Sequence, residues 1–221
     1  MSAEELALLH PQLFHITTAS AIPSIKKHGL LAAAHLELLK APEQRRDILD
    51  RHCCQTSMRF GYRNALSASD ADQMHHGGSP QARLARKARL SDWTRALDNR
   101  VYFWVNEANM RRHVNACTKD GGDHVVLVFD TLSLVKWNLK QVELSPINSG
   151  STVLRSSWSK ERLFTPVQSL SYRAWQRRRG GRDHIKELAV LGGVRDIELH
   201  LTESHLVPGR PRDELLRDPV S

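Results

Sequence analysis

The sequence predicts an α+β domain built on a mixed or antiparallel sheet. Three observations carry that expectation. Helical patterns concentrate before Arg100, and strand-like runs concentrate after it, so strands and helices do not alternate as they would around a parallel sheet. The run "HVVLVFDT" is apolar on both faces, which marks a strand covered on both sides and hence a central one. The chain has 221 residues, of which 40% are hydrophobic and 25% charged, enough for one core and against global disorder.

Each element follows from its local pattern. Residues 3–9 read as a short helix stopped by Pro11. "QLFHIT" reads as the first strand. "SAIPSIKKHGLL" reads as a helix with Ser20 as N-cap, Pro23 in the first turn and Gly29 at its end, with Ile22, Ile25 and Leu30 toward the core. "AAAHLELLKAPEQRRDILDRHCCQTSMRF" is helical with a break near Pro42. Residues 61–82 lack a period and carry Gly, Ser and Pro, so they read as a long loop. "RLARKARLSDWTRALD" is a basic helix in two pieces, the second capped by Ser91. "RVYFWV" is an aromatic strand and "NEANMRRHVNAC" a helix. "VELSPINSGST" is a strand then a loop, "RLFTP" a short strand or turn, and "IKELAVLGGV" a last strand closed by glycines, with "IELHLT" after it. Residues 1–205 are expected to form one domain and 206–221 a mobile tail.

The formal net charge is +8, from 32 basic and 24 acidic residues, which favours a polyanionic partner, nucleic acid being the commonest. No run of eighteen apolar residues occurs, so no membrane partner is expected. The acidic start "MSAEELALLHPQLF" lacks the basic and apolar regions of a signal peptide. Three cysteines, Cys53, Cys54 and Cys117, make no disulfide framework, so a cytoplasmic protein with reduced thiols is expected. "RHCC" and "MHHGG" have poor geometry for zinc, and no metal is expected. No G-x-S-x-G, P-loop or GxGxxG is present, which argues against the common hydrolase, NTPase and Rossmann readings.

Three features carry chemistry. His15 and Thr17 alternate onto one face of the first strand, just before a helix, where an imidazole and a hydroxyl can bond a ribose; the plainer alternative is a satisfied strand-end histidine. Tyr102 and Trp104 share a strand face that can stack on a flat ring or simply fill a core. Glu187 interrupts an apolar strand, sharing its face with Ile185 and Ala189. A carboxylate there is costly unless paired or used. Upstream lies "RRRGGRDH", a flexible basic loop in which Arg177, Arg178, Arg179 and Arg182 can grip phosphates. Ser149 sits in "INSGST", a Ser/Gly loop able to form a nest for phosphate.

"FHITTASAIPSIKKHGLL" resembles the opening of the DarT-type ADP-ribosyltransferases, which modify nucleic acid. "RVYFWVNEANMRRH" is similar to their aromatic strand and following helix, and "KELAVLGGVRDI" to their last strand. The three stand in the family's order over about residues 12–200. The resemblance implies an ADP-ribosyltransferase-like split, curved sheet with N-terminal helices around an NAD cleft. It also implies NAD contacts from His15, Thr17 and Tyr102 and a catalytic Glu187. On their own chemistry, Ser149 is expected to add a cofactor contact, and Arg177, Arg178, Arg179 and Arg182 to contact nucleic acid. The family's catalytic arginine lies upstream of the aromatic strand. Arg83, Arg86, Arg89, Arg95 and Arg100 all compete for that place, and Arg100 is the one assigned. The family's asparagine six residues after the histidine is Ala21 here. The activity implied is NAD-dependent ADP-ribosylation of DNA or RNA by a toxin or phage-defence effector, with an antitoxin as a possible protein partner. The alternatives are an RNA 2′-phosphotransferase-like enzyme and a non-catalytic nucleic-acid-binding module on the same scaffold.

Overall fold

The computed structural model describes residues 1–38, 95–118, 121–146, 164–178, 180–181 and 185–209. In chain order the elements are α1 (Ala3–Leu9), β1 (Gln12–Thr18), α2 (Ile22–His28), β2 (Leu30–Leu31), α3 (Ala33–Leu38), β3 (Arg100–Trp104), α4 (Glu107–Cys117), β4 (His124–Asp130), α5 (Thr131–Trp137), β5 (Val142–Ser145), β6 (Thr165–Pro166), α6 (Tyr172–Arg178), β7 (Glu187–Leu191), β8 (Gly193–Val194) and β9 (Leu201–Val207). The protein is therefore α+β. Its main sheet has seven strands in the order β6-β5-β7-β3-β1-β4-β9. Every pairing in it is antiparallel, so the mixed alternative falls away. The sheet is open, with β6 and β9 at its edges. β4 is interior and buried but next to last, not central as its apolar run suggests.

Local chemistry accounts for the helix ends. Ser2 caps α1 by accepting from the Glu5 N–H, and Glu4 and Glu5 occupy its first turn, where the helix dipole favours acids. Pro23 lies in the first turn of α2, and Gly29 ends it with φ 78°. A Cβ at Gly29 would sit 2.5 Å from the Val194 and Arg195 carbonyl oxygens, so only glycine lets α2 end against β8. Ser20 is not the N-cap expected. It lies in a 3₁₀ turn (Ala19–Ala21) ahead of α2, and its hydroxyl pairs with that of Thr18 at 3.1 Å. Asn106 caps α4 and Asp130 caps α5. α5 follows β4 directly, with Asp130 as both the last residue of the apolar strand and the cap of the helix. "IELHLT" divides into a 3₁₀ turn (Ile197–Leu199) and the start of β9. β9 runs to Val207, past the expected tail boundary at 205.

Strand alternation gives the sheet two unlike faces. One face presents Leu13, Val101, Phe103, Leu127, Phe129, Leu144 and Leu188 to residues from α1, α2, α5 and α6, in the larger core cluster. On the other face, Phe14, Ile16, Val126 and Val128 pack against Met110 and Val114 of α4. β1 joins β4 along seven residue pairs but meets β3 at one, Phe14 with Trp104. The seven strands thus fall into a β6-β5-β7-β3 half and a β1-β4-β9 half, joined at a narrow seam. Among the described residues, no helix is long and apolar enough to cross a membrane.

Candidate active site

Partners across an antiparallel ladder share a face, so the register maps the site. Phe14 opposes Trp104, Trp104 opposes Glu187, and Glu187 opposes Ser145. The next row holds Tyr102, Ala189 and Glu143, and Arg100 lies one row further, opposite Leu191. Arg100, Tyr102, Glu143, Ser145 and Glu187 therefore share the α4 side of the sheet, beyond the stretch that α4 covers. All five are buried, and Glu187 is 3% exposed.

Arg100 is committed. Its Nε donates to Glu143 Oε2 at 2.6 Å, an Nη donates to the Ala96 carbonyl, and the guanidinium lies 4.1 Å over the Phe164 ring. These contacts hold it as a buried cation that ties β3 to β5. Tyr102 donates its hydroxyl to the Leu97 carbonyl at 3.1 Å. Burial first, then the nearby negative charge of Glu187, holds the Tyr102 phenol well above its ordinary pKa of 10.0. Both effects disfavour a second anion beside the carboxylate.

His15 and Thr17 do share a face, as alternation requires, but it is the opposite one. His15 lies 5.6 Å from the Phe103 ring, and its Nδ1 donates to the Tyr102 carbonyl oxygen at 2.9 Å. A carbonyl only accepts, so Nδ1 carries the proton. The imidazole thus reaches across the seam to the backbone of β3. Thr17 is fully buried, and its hydroxyl has no hydrogen-bond partner among the described residues. The structure consequently separates the expected site into two groups: Glu187, Tyr102 and Arg100 on one face, and His15 and Thr17 on the other, with the seam between them.

The basic segment is not wholly a loop. Arg177 and Arg178 form the last turn of α6, a position that suits cations, and both are exposed. Gly180 and Gly181 follow with φ 70° and 80°. Arg179, Arg182 and Ser149 lie outside the described residues, as do Ser91 and the basic helix upstream of residue 95. Cys117 is disulfide-bonded, which corrects the expectation of reduced thiols; Cys53 and Cys54 are outside the described residues. Sequence reasoning missed Glu143 and Ser145. Glu143 carries the same signal as Glu187, an acid inside the apolar run "VELS".

Comparison with known proteins adds a family. The family of unknown function DUF7002 matches residues 11–201, a span that includes every described residue of both groups. No curated protein matches the chain.

Proposed function

The chain belongs to the DUF7002 family, a family of unknown function, and we propose that this member is an NAD-dependent ADP-ribosyltransferase. Its target is nucleic acid, DNA or RNA, and its role that of a toxin or phage-defence effector. The observation that carries the reading is Glu187, a carboxyl group 3% exposed in an apolar strand. It lies one ladder position from Trp104, the residue at which β3 meets β1. A shielded carboxylate interacts strongly with a positive centre because little water screens it. The neutral Tyr102 beside it leaves that charge undivided. The net charge of +8 suits a polyanionic target. The single-pair seam is where the resemblance would open a cleft.

The residues present fit NAD in part. The buried Thr17 hydroxyl, without a partner among the described residues, and the anchored His15 imidazole suit ribose hydroxyls, and these two residues would hold the cofactor. Tyr102 would offer its ring face to nicotinamide, with its hydroxyl held by the Leu97 carbonyl. NAD, when bound, supplies the ADP-ribosyl group. Glu187 would orient the attacking base or hydroxyl and accept its proton or face the positive charge opposite it. Arg100 acts as a positioning residue through Glu143. Because His15 and Glu187 occupy opposite faces, a ligand that touches both must lie across the seam.

That same separation favours a second reading, a nucleic-acid-binding module that keeps the scaffold without the chemistry. Incubation with labelled NAD and separate pools of DNA, RNA and protein distinguishes the two. Nicotinamide release with label on nucleic acid is the expected result. Nucleic-acid binding without nicotinamide release would select the module, and turnover of a 2′-phosphorylated RNA would select the phosphotransferase.

A further inference from the structure

A concave site lies at the end of β7 away from Glu187. From Glu187 to Leu191 the strand runs four residues, roughly 13 Å at the usual rise. Past Leu191 the chain turns through Gly192 and Gly193 into an open groove of about 520 Å³, lined by His35, Trp137, Asn138, Gln141, Arg195 and Asp196 among others. That volume is in the range of small-ligand sites.

The groove is built, not incidental. Gly192 has φ 78°, and a Cβ there would meet the His35 ring at 3.1 Å. The Gly192 carbonyl instead accepts from His35 Nδ1 at 2.8 Å, which fixes the ring and leaves Nε2 as an acceptor in the neutral form. Gly193 has φ 126°, and a Cβ there would lie 2.2 Å from the Leu30 carbonyl oxygen, so glycine is required where β8 pairs with β2.

Its side chains form a set with one chemistry. Trp137 is 67% exposed, unusual for an indole, and offers a flat apolar face. Asn138 is 8% exposed. Its Nδ2 donates to the Leu134 carbonyl at 2.9 Å, while its Oδ1 accepts from none of the described residues. Asn138 lines the groove, and its amide oxygen can take a donor from outside. Gln141 adds a second amide, and both Arg195 and Asp196 are exposed. Neither of these two is ion-paired among the described residues.

We infer that this groove binds a nucleotide. The base stacks on Trp137, the Asn138 Oδ1 and the Gln141 amide meet its donors and acceptors, and Arg195 takes the phosphate. Asp196 is placed for a sugar hydroxyl. A plain sugar would leave Arg195 unused, and an apolar ligand would strand Asn138 and Asp196. The inference does not depend on what Glu187 does.

The test is calorimetric titration of the full chain with AMP, GMP, CMP and UMP, in the absence of NAD. At least one should bind with a dissociation constant of about 1 mM or tighter. Trp137→Ala should weaken it at least about fivefold, the low end for a base stacked on an aromatic ring. Arg195→Ala should weaken the monophosphate by a similar factor and leave the matching nucleoside unchanged. Both side chains are exposed, so both variants should keep the wild-type melting temperature. A short oligonucleotide titrated in parallel tells the source. Equal affinity per site assigns the groove to free nucleotides, and tighter binding assigns it to a strand. No binding of any mononucleotide at about 5 mM, where a 1 mM site would be mostly filled, overturns the inference. So does binding that neither variant changes.

Discussion

On the β1-β4 half, the face toward α4 carries Phe14, Ile16, Val126 and Val128 against Met110 and Val114. On the β3-β7-β5 half, the same face carries Arg100, Tyr102, Glu143, Ser145 and Glu187, all buried. One sheet face thus changes from hydrocarbon to ions across a single residue pair, Phe14 with Trp104. The apolar half gains stability from area removed from water. The polar half must recover the cost of desolvating charge through pairing. It contributes little net stability and much positional order. A sheet built only for stability would carry the apolar pattern throughout, so the polar half is where another requirement has acted.

The largest expected effect tests the pairing itself. Arg100→Ala leaves Glu143 buried without its 2.6 Å partner and should lower stability by about 3 to 5 kcal/mol in urea unfolding. Ile16→Val, in the apolar half, should cost about 0.5 to 1.5 kcal/mol. The double variant Arg100→Met with Glu143→Leu should recover most of the loss, since two well-packed hydrophobes can replace a buried pair. If Arg100→Ala melts no earlier than Ile16→Val, the two halves do not differ as argued.

How much of this contrast was legible in the sequence depends on the half. β1, β3, α4 and β4 were readable because their patterns are strong and local: an aromatic run, a helical stretch after it, a continuous apolar strand. The two faces of β1 also followed from alternation alone. The pairing of the strands was not readable, because register is set by tertiary contacts. Without register, His15 and Glu187 could be supposed to meet, and only the Phe14–Trp104–Glu187 row shows them on opposite faces. Arg100 illustrates the same gap. The family resemblance suggested a catalytic role for it, while its partner Glu143 lies 43 residues on and no spacing rule links them. Trp137 and the two glycines past Leu191 were visible as residues, yet the groove they line exists only after β7, β8 and α5 are assembled.

Glu187→Gln gives the next effect and separates the two ions of the polar half. If Glu187 is held for chemistry, removing its charge should leave unfolding within about 1 kcal/mol of wild type. ADP-ribosyl transfer should fall about 10²- to 10³-fold, as when one charge-stabilising group is lost from an active site. Thermal unfolding beside a nicotinamide-release assay reads both. A loss of about 3 kcal/mol or more would place Glu187 with Glu143 as structural.

Thr17→Val sharpens the contrast across the seam. The Thr17 hydroxyl is buried with no partner among the described residues, and valine removes it with little change of shape. Without ligand the variant should be more stable by about 1 kcal/mol, because an unsatisfied buried group is gone. With NAD the order should reverse, since the ribose contact is lost. A Thr17→Val protein that is no more stable, and whose melting temperature still rises with NAD as the wild type does, would return this residue to the ordinary core.

The smallest effect concerns His200, which closes the apolar half where α5 meets the start of β9. The residue is 2% exposed. Ser133 Oγ lies 2.6 Å from its Nδ1, and its Nε2 has no partner among the described residues. Trp137 packs 6.2 Å away. Burial lowers the pKa below 6.5, against the opposing pull of Asp196 and Asp130. The sign follows from proton counting. In the window just below pH 6.5 the unfolded chain binds a proton at this residue and the folded chain does not. Stability from His200 is therefore present above pH 6.5 and is lost as pH falls toward the lowered folded value. The slope cannot exceed one proton, about 1.4 kcal/mol per pH unit. The chain has eleven other histidines, counting 12 in all, so the absolute slope is a sum, and only the difference from His200→Gln isolates this one. Urea unfolding between pH 5 and 8 should show a shallower rise with pH in His200→Gln than in wild type. Equal slopes would mean that protonated His200 is tolerated in the folded state, with Asp130 and Asp196 offsetting its burial in full. The apolar half would then be no less tolerant of a buried charge than the half that holds Glu187.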